Sequence, residues 1–505
     1  MSTSDSSARP RNLEQQRKLA KDLFAAARGG DTAALARIHA VRADAGTGTR
    51  PLALADAQFT IAREAGFESW PALVADVHER DVTAFRDAIE SGDVDRTRQL
   101  LGVDHVRSRV NEPMFAFGQR AAHIAAKNQA LLTLLLGAGA DVNLKSEWEN
   151  GPYTVLDNAT EDTARFLLAQ GMRLTPNAAA RLGWLEELRA LVAADGALVH
   201  ARGGDGQQPL HEAKTVAIAD FLLDHGADAD TRCIDHETTP AQYALVDRPD
   251  VCRQLLERGA TPDIFMAARL GDTTLAARLL DGDPDCVAAR VGAPGYPLVP
   301  RMSIYNWTLG TGSSPYDVAS RFGHPQVRDL LAARSPAGVR LLNALLAGDE
   351  RAVDAQLASD PALLPRLLPQ AHGHLAHAIF HERFAAAELM LRLGFDPAAP
   401  GVDGGTALHA ACWVGNVRLV ERLLGRGGVA LDARDPTHLS TPLGWTAFGS
   451  VHRRARGADY ATVAERLVAA GADITAPGNG EGLTLLAMAR GNATMQAALR
   501  RLGAR

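Results

Sequence analysis

The chain has 505 residues, 46% of them hydrophobic but only 5% aromatic, and 53 Lys and Arg against 59 Asp and Glu leave a net charge of −6. With both signs dispersed, this lacks the basic footprint of a nucleic-acid or anionic-membrane binder, and no apolar run is long enough for a transmembrane helix. Cys233, Cys252, Cys286 and Cys412 are far apart and form no C-x-x-C, which argues against disulfides and structural zinc and for a reduced, cytoplasmic setting.

Residues 1–18 open polar and Ser-rich, with no apolar core of a secretory signal, and read as a leader. Leu19 to Ile38 predicts two short helices broken at Gly29-Gly30-Asp31. Residues 19–81 are expected to cap a repeat array, with Trp70 of Ser69-Trp70-Pro71 in the core of that cap. From Val82 short helix pairs recur, in two array parts at 82–335 and 336–505. Gly118 to Asn143 carries Arg120-Ala121-Ala122-His123 and Leu134-Leu135-Leu136. Gln208 to Asp230, Thr239 to Asp263 and Ser314 to Leu331 follow the same plan, as do Val339 to Leu357 and His374 to Asp396. The clearest copy is Gly404 to Asp435: a turn, a short helix, a tight turn at Gly415 and a longer helix ending at Gly427-Gly428. Leu483 to Leu502 predicts a last helix pair with a polar outer side.

Helix-ending glycines keep time. Gly226 and Gly259 are 33 residues apart, and so are Gly394 and Gly427. Apolar pairs such as Leu423-Leu424 give each second helix a core stripe, and the glycine after it supplies a left-handed stop. Thr406-Ala407-Leu408-His409, with Ala411, Gly415, Leu423-Leu424 and Gly427, closely resembles the ankyrin repeat, whose period is about 33 residues. The resemblance extends over nearly all of residues 19–503. It implies an all-α ankyrin-repeat solenoid of roughly eleven to thirteen helix-turn-helix units. The Ala62-Arg63, Gly66-Phe67, Ser69-Trp70-Pro71 and Leu73 element resembles one often found ahead of bacterial ankyrin arrays. Tetrad residues His123, His211 and His409 are expected to tie turns together through backbone hydrogen bonds.

Two stretches break the period. Pro294 to Ser313, with Tyr305 and Trp307, is too long for a repeat turn. Gly427 and Gly471 are 44 residues apart, and the surplus falls in Gly449 to Tyr460, with His452 and Arg453, between two helices. Insertions in solenoids often serve binding.

The resemblance implies that the first helix of each repeat lines a concave groove. On that basis Ala410, Trp413 and Val414 point into it, and one period earlier His377, Phe380 and His381 do the same. Aligning Thr441-Pro442-Leu443 with Thr406-Ala407-Leu408 adds Trp445 and Phe448. The candidate binding residues are therefore His377, Phe380, His381, Trp413, Trp445, Phe448, Tyr305, Trp307, His452 and Arg453, anchoring a peptide or a small molecule. Replacing Trp413 and Trp445 by Ala is expected to weaken binding without unfolding the chain.

His377 and His381 also have the spacing of a helical metal pair, with His374 or His452 as a third ligand, but no H-E-x-x-H is present. An acid–base site pairing them with Tyr305 or Tyr460 is the catalytic alternative, and Arg453, Arg454, Arg456 and Arg340 could meet an acidic partner. No catalytic fingerprint, metal site or cofactor site is read. The sequence predicts non-enzymatic recognition of a protein or peptide, with no nucleic acid and no membrane. The alternative is a small-molecule-binding or catalytic groove around His377, His381, Trp413 and Trp445.

Overall fold

A short polar side chain stands ahead of most second helices and caps them. Asn128 Oδ1 accepts from the Leu131 amide at 3.2 Å, Asn416 Oδ1 from Leu419 at 3.0 Å and Asp459 Oδ1 from Thr462 at 3.0 Å. These bonds satisfy amides that a helix start leaves without an intrahelical partner. At the other end, Gly259 and Gly394 adopt φ of 100° and 89°. A side chain there would be strained, so glycine is what lets the chain leave the helix towards the next turn.

The computed structural model describes residues 12–45, 50–293, 295–453 and 457–504. Among the described residues all regular structure is helical, without a strand, and no helix is long and apolar enough to cross a membrane. The four cysteines are buried, and none is in a disulfide among the described residues. The chain divides into two compact units, one ending at Thr261 and the other beginning at Pro262. Each is built from successive helix pairs, the fold class of an α-solenoid.

In the first unit, helices Leu13–Arg28, Thr32–His39, Leu54–Glu64 and Trp70–Ser91 come before the repeats. Half-buried Trp70 packs beside Ile61 and Leu73, as a packing residue. The tetrad histidines hold the turns. The Gln208 amide donates to His211 Nδ1 at 3.1 Å, so the ring proton sits on Nε2, 3.0 Å from the Thr238 carbonyl it faces across the next turn. His123 repeats this with the Arg120 amide at 3.3 Å and the Tyr153 carbonyl at 3.0 Å.

The second unit carries eight helices that matter here: α1 (His374–Phe380), α2 (Phe384–Arg392), α3 (Ala407–Trp413), α4 (Val417–Arg426), α5 (Pro442–His452), α6 (Tyr460–Ala469), α7 (Leu485–Met488) and α8 (Ala493–Leu502). The first helices of successive repeats pack on one another, α1 on α3, α3 on α5 and α5 on α7, and so do the second helices α4, α6 and α8. The second-helix stripes are buried: Leu419, Val420 and Leu423, then Val463, Ala464 and Leu467, then Met495, Ala498 and Leu499. This is the apolar face that the leucine pairs announce.

One expectation changes. The first part of the Gly449–Tyr460 stretch is not a loop, because Gly449 to His452 prolong α5. Residues 454–456, with Arg454 and Arg456, lie outside the described residues, as does Pro294.

Candidate functional site

The repeat brings one slot of each first helix into register, and in α1, α3 and α5 that slot holds Phe380, Trp413 and Phe448. The Phe380 and Trp413 rings are 5.9 Å apart and almost parallel, at 3°, and Trp413 and Phe448 are 6.1 Å apart at 28°. Trp445, one turn earlier in α5, stands across them, at 77° to Trp413 and 74° to Phe380. Trp445 thus stands edge-on to a stack of three rings.

Trp445 is only 7% exposed, and its position is fixed from two sides. Its Nε1–H donates to Asp435 Oδ2 at 2.9 Å. That carboxylate is fully buried and also accepts from the amides of Thr437 at 3.0 Å, His438 at 2.6 Å and Ser440 at 3.1 Å. Burial alone would raise the Asp435 pKa, but the His438 amide, the Trp445 indole and the Ser440 amide outweigh it and hold the group below its usual value. The second constraint is Gly405: a Cβ there would meet the Trp445 ring at 3.0 Å and His409 Cβ at 3.1 Å. His409 itself takes the Thr406 amide on Nδ1 at 3.1 Å, and its Nε2 faces the Ala433 carbonyl at 3.0 Å, so it is structural, as expected.

Between the rings and the turns lies a cavity of about 220 Å³. Its apolar lining is Phe380, Trp413, Trp445, Phe448 and Met488, and its polar lining is Asp403, His438, Ser440 and Asn479. Asp403 and Gly404 have φ of 51° and 74°, the paired left-handed conformation that an Asp-Gly turn supplies. This places the Asp403 carboxylate in the tip of the turn, with Oδ2 3.5 Å from His438 Nε2. Trp413 Nε1 is buried and has no hydrogen-bond partner. A buried donor left in that state costs about 1–3 kcal/mol, which makes it an outlier in a folded chain.

His377 Nδ1 and His381 Nε2 are buried and without a partner too. Burial lowers all three α1 histidines. His374 is pushed down to about 3, with the Arg290 and His377 charges adding, and His381 to about 4, with His377, Arg383 and Arg453 adding. His377 is lowered by burial and then Arg290, with Asp403 opposing. They are neutral imidazoles near pH 7. As metal ligands they lack company: among the described residues, the one group of three metal-capable side chains is Asp205, Asp235 and His236 in the first unit. That group is satisfied internally, by the His236–Asp235 pair at 3.2 Å, Asn150 donating to Asp235 at 2.8 Å and Tyr153 donating to Asp205.

The remaining sequence candidates separate. His452 lies against Phe448, centroids 4.0 Å apart, and Arg453 pairs with Glu382 at 2.5 Å, so both stand beside the cluster. Tyr305 is fully buried and its hydroxyl donates to Asp263 at 3.0 Å; it is a core residue and presents no surface to a ligand. Trp307 is 60% exposed and does not line the cavity. The Tyr460 hydroxyl donates to the Trp413 carbonyl at 3.1 Å. With both tyrosines engaged elsewhere, the acid–base pairing expected for His377 or His381 is not assembled. Arg340 donates to the Ser335 carbonyl at 2.6 Å. The polar lining residues Asp403, His438, Ser440 and Asn479 escaped the sequence reading, since turn residues carry no periodic signature; the Asp403-Gly404 pair was the available signal.

Among curated proteins none matches the sequence. The family model described as the ankyrin repeat matches residues 403–436. That stretch includes the Asp403 turn, α3, α4 and Asp435, so the cavity is built on and beside an ankyrin repeat.

Proposed function

We propose that the second unit is a non-enzymatic recognition scaffold that holds a protein or peptide segment in the groove floored by Phe380, Trp413 and Phe448. The observation that carries the reading is the Trp413 N–H, a buried donor without an acceptor on a residue that lines an aromatic cavity. A peptide carbonyl would satisfy it, and ankyrin repeats typically bind protein partners. The size of the cavity favours a peptide side chain over a small-molecule ligand. At about 220 Å³ it falls below the roughly 300 Å³ at which small-ligand pockets begin. Catalysis is disfavoured by the engagement of Tyr305 and Tyr460. The Ala62 to Leu73 stretch is read as a bacterial-type leading element, and the setting as cytoplasmic.

The test is selection from a displayed random-peptide library against the purified chain, followed by titration of the selected peptides. Peptides that bind the wild type and lose about tenfold or more with Trp413→Ala or Phe448→Ala are the expected result. Selected peptides whose binding is unaffected by either substitution would place recognition elsewhere and sink the reading.

A further inference from the structure

Beside the aromatic stack, positive charge is left unbalanced. Arg383 lies between α1 and α2 and lines a second cavity, of about 500 Å³. Asp317 and Glu382 are the other charged residues of that lining, and Leu346 and Phe384 its largest apolar ones. Among the described residues the Arg383 guanidinium makes no hydrogen bond; its nearest carboxylate oxygen is Asp317 Oδ1, at 3.7 Å. The side chain is 30% exposed, and its five donors remain for a ligand.

Neither carboxylate of the lining answers that charge. Asp317 Oδ2 accepts from the Ser314 amide and hydroxyl, both at 2.9 Å, and it is also the carboxylate nearest Arg290, at 3.9 Å. Arg290 is buried, and its hydrogen bonds go to neutral acceptors, the Gly312 carbonyl at 3.1 Å and Asn343 Oδ1 at 2.8 Å. Two guanidiniums thus share one carboxylate at distances too long for a hydrogen bond to either. Glu382 is taken by Arg453. Arg321, exposed on the same helix as Asp317, donates to the carbonyls of Leu309 and Thr308, at 2.9 and 3.0 Å. The nearby N-cap residues Asp272 and Asp349 accept from their own helices, at 2.8 and 3.0 Å. The arginines act on one another: burial pushes Arg290 down to about 10, with Asp317 opposing and Arg383 adding. Arg321 is lowered by burial, then by Arg269 and Arg383.

Recessed cations short of a counter-ion are costly, and the partner they lack is an anion. An ammonium would be repelled by three guanidiniums, and a neutral amide would accept a hydrogen bond without answering the charge. A carboxylate fits the planar fork of Arg383 with two parallel bonds. The cavity also adjoins the aromatic stack. Arg383 follows Phe380, His381 and Glu382 in sequence, and the His381 and Phe380 rings are 5.3 Å apart. We propose that Arg383, backed by the charges of Arg290 and Arg321, binds an acidic side chain of the segment whose apolar residue packs on Phe380, Trp413 and Phe448. The inference rests on the peptide-groove reading and adds the charge of its ligand. The anion is the carboxylate of an Asp or Glu; a phosphoryl group has the same chemistry, and the test separates the two.

The test starts from library-selected peptides that depend on Trp413 and Phe448. An acidic residue is expected at a fixed distance from their apolar anchor. That residue is then made Glu, its neutral isostere Gln, or phosphoserine, and each peptide is titrated against the intact wild type, Arg383→Gln and Arg321→Gln, with thermal melts as the control for folding. Glu→Gln should weaken binding to the wild type about tenfold and binding to Arg383→Gln hardly at all. Arg321→Gln should weaken the Glu peptide about twofold and leave the Gln peptide unchanged, since it acts at longer range. Equal loss from Glu→Gln in the wild type and Arg383→Gln, or selected peptides without an acidic residue, overturns the inference and leaves the groove reading standing. Phosphoserine binding about tenfold tighter than Glu would uphold the anion site and overturn the carboxylate source. A selection that yields no peptide dependent on Trp413 and Phe448 sinks the groove reading and this inference together.

Discussion

Trp445 and Asp435 are ten positions apart in sequence and 2.9 Å apart in space, indole N–H to carboxylate oxygen. The pair joins the first helix of one repeat to the turn leading into it, and three backbone amides converge on the same carboxylate. Asp435→Ala would leave those donors buried and unpaired. A loss of about 3 kcal/mol or more in urea unfolding is expected, with a smaller loss for Asp435→Asn, which keeps an acceptor. Equal, small effects from both would mean the network is not what holds Trp445.

This relationship revises the expectation that Trp413 and Trp445 can be removed together without unfolding. Trp445 is a packing residue, and Trp445→Ala should cost about 3–5 kcal/mol. Phe448 is 43% exposed, and Phe448→Ala should change the melting temperature little while lowering peptide affinity. Leu423, fully buried in α4, should cost about 2–5 kcal/mol as Leu423→Ala without a specific effect on affinity beyond the folded fraction. Thermal melts and titrations on the same samples separate the two classes.

Gly405→Ala tests the seat of Trp445 directly. The added methyl would lie 3.0 Å from the Trp445 ring and 3.1 Å from His409 Cβ, and neither neighbour is the loose end of a flexible chain. A cost of about 1–3 kcal/mol is expected, with a shift in tryptophan emission. An unshifted spectrum would show that the ring is not held against Gly405.

Acid should weaken the fold through its buried histidines. The folded state holds His381 and His211 down to about 4 and His374 down to about 3, in each case chiefly by burial, whereas the unfolded chain titrates histidine near about 6.5. Between these values the unfolded state binds protons that the folded state refuses. Stability is therefore full above about pH 6.5 and falls as pH drops towards 4. Melting temperatures measured from pH 7.5 downwards should decline over that window, and His381→Gln should reduce the slope. A flat profile would contradict the buried, neutral assignment.

Periodicity made the scaffold and part of the site readable. The spacing of Gly394 and Gly427 set the register: shifting Trp413 by one period reached Phe380, aligning Thr441-Pro442-Leu443 with Thr406-Ala407-Leu408 reached Phe448, and the three rings stack. The burial of Trp445 was not readable, because its partner Asp435 belongs to a turn, and a turn aspartate looks the same whether it caps, pairs or stands in water. Tyr305 misled for a related reason. It sits in a stretch without a repeat register, so nothing in the sequence distinguished a wall of a groove from a ring sealed against Asp263 and Phe265. The rim residues Asp403, His438 and Asn479 come from separate turns that only the stacking of repeats brings together.

The most direct measurement is the indole N–H spectrum of the ¹⁵N-labelled chain before and after addition of a selected peptide. The Trp413 signal should move strongly downfield as its unpartnered donor gains a carbonyl, while the Trp445 signal, already bonded to Asp435, moves less. A peptide that binds while leaving the Trp413 signal in place would contradict the proposal that this groove is where the chain recognises its partner.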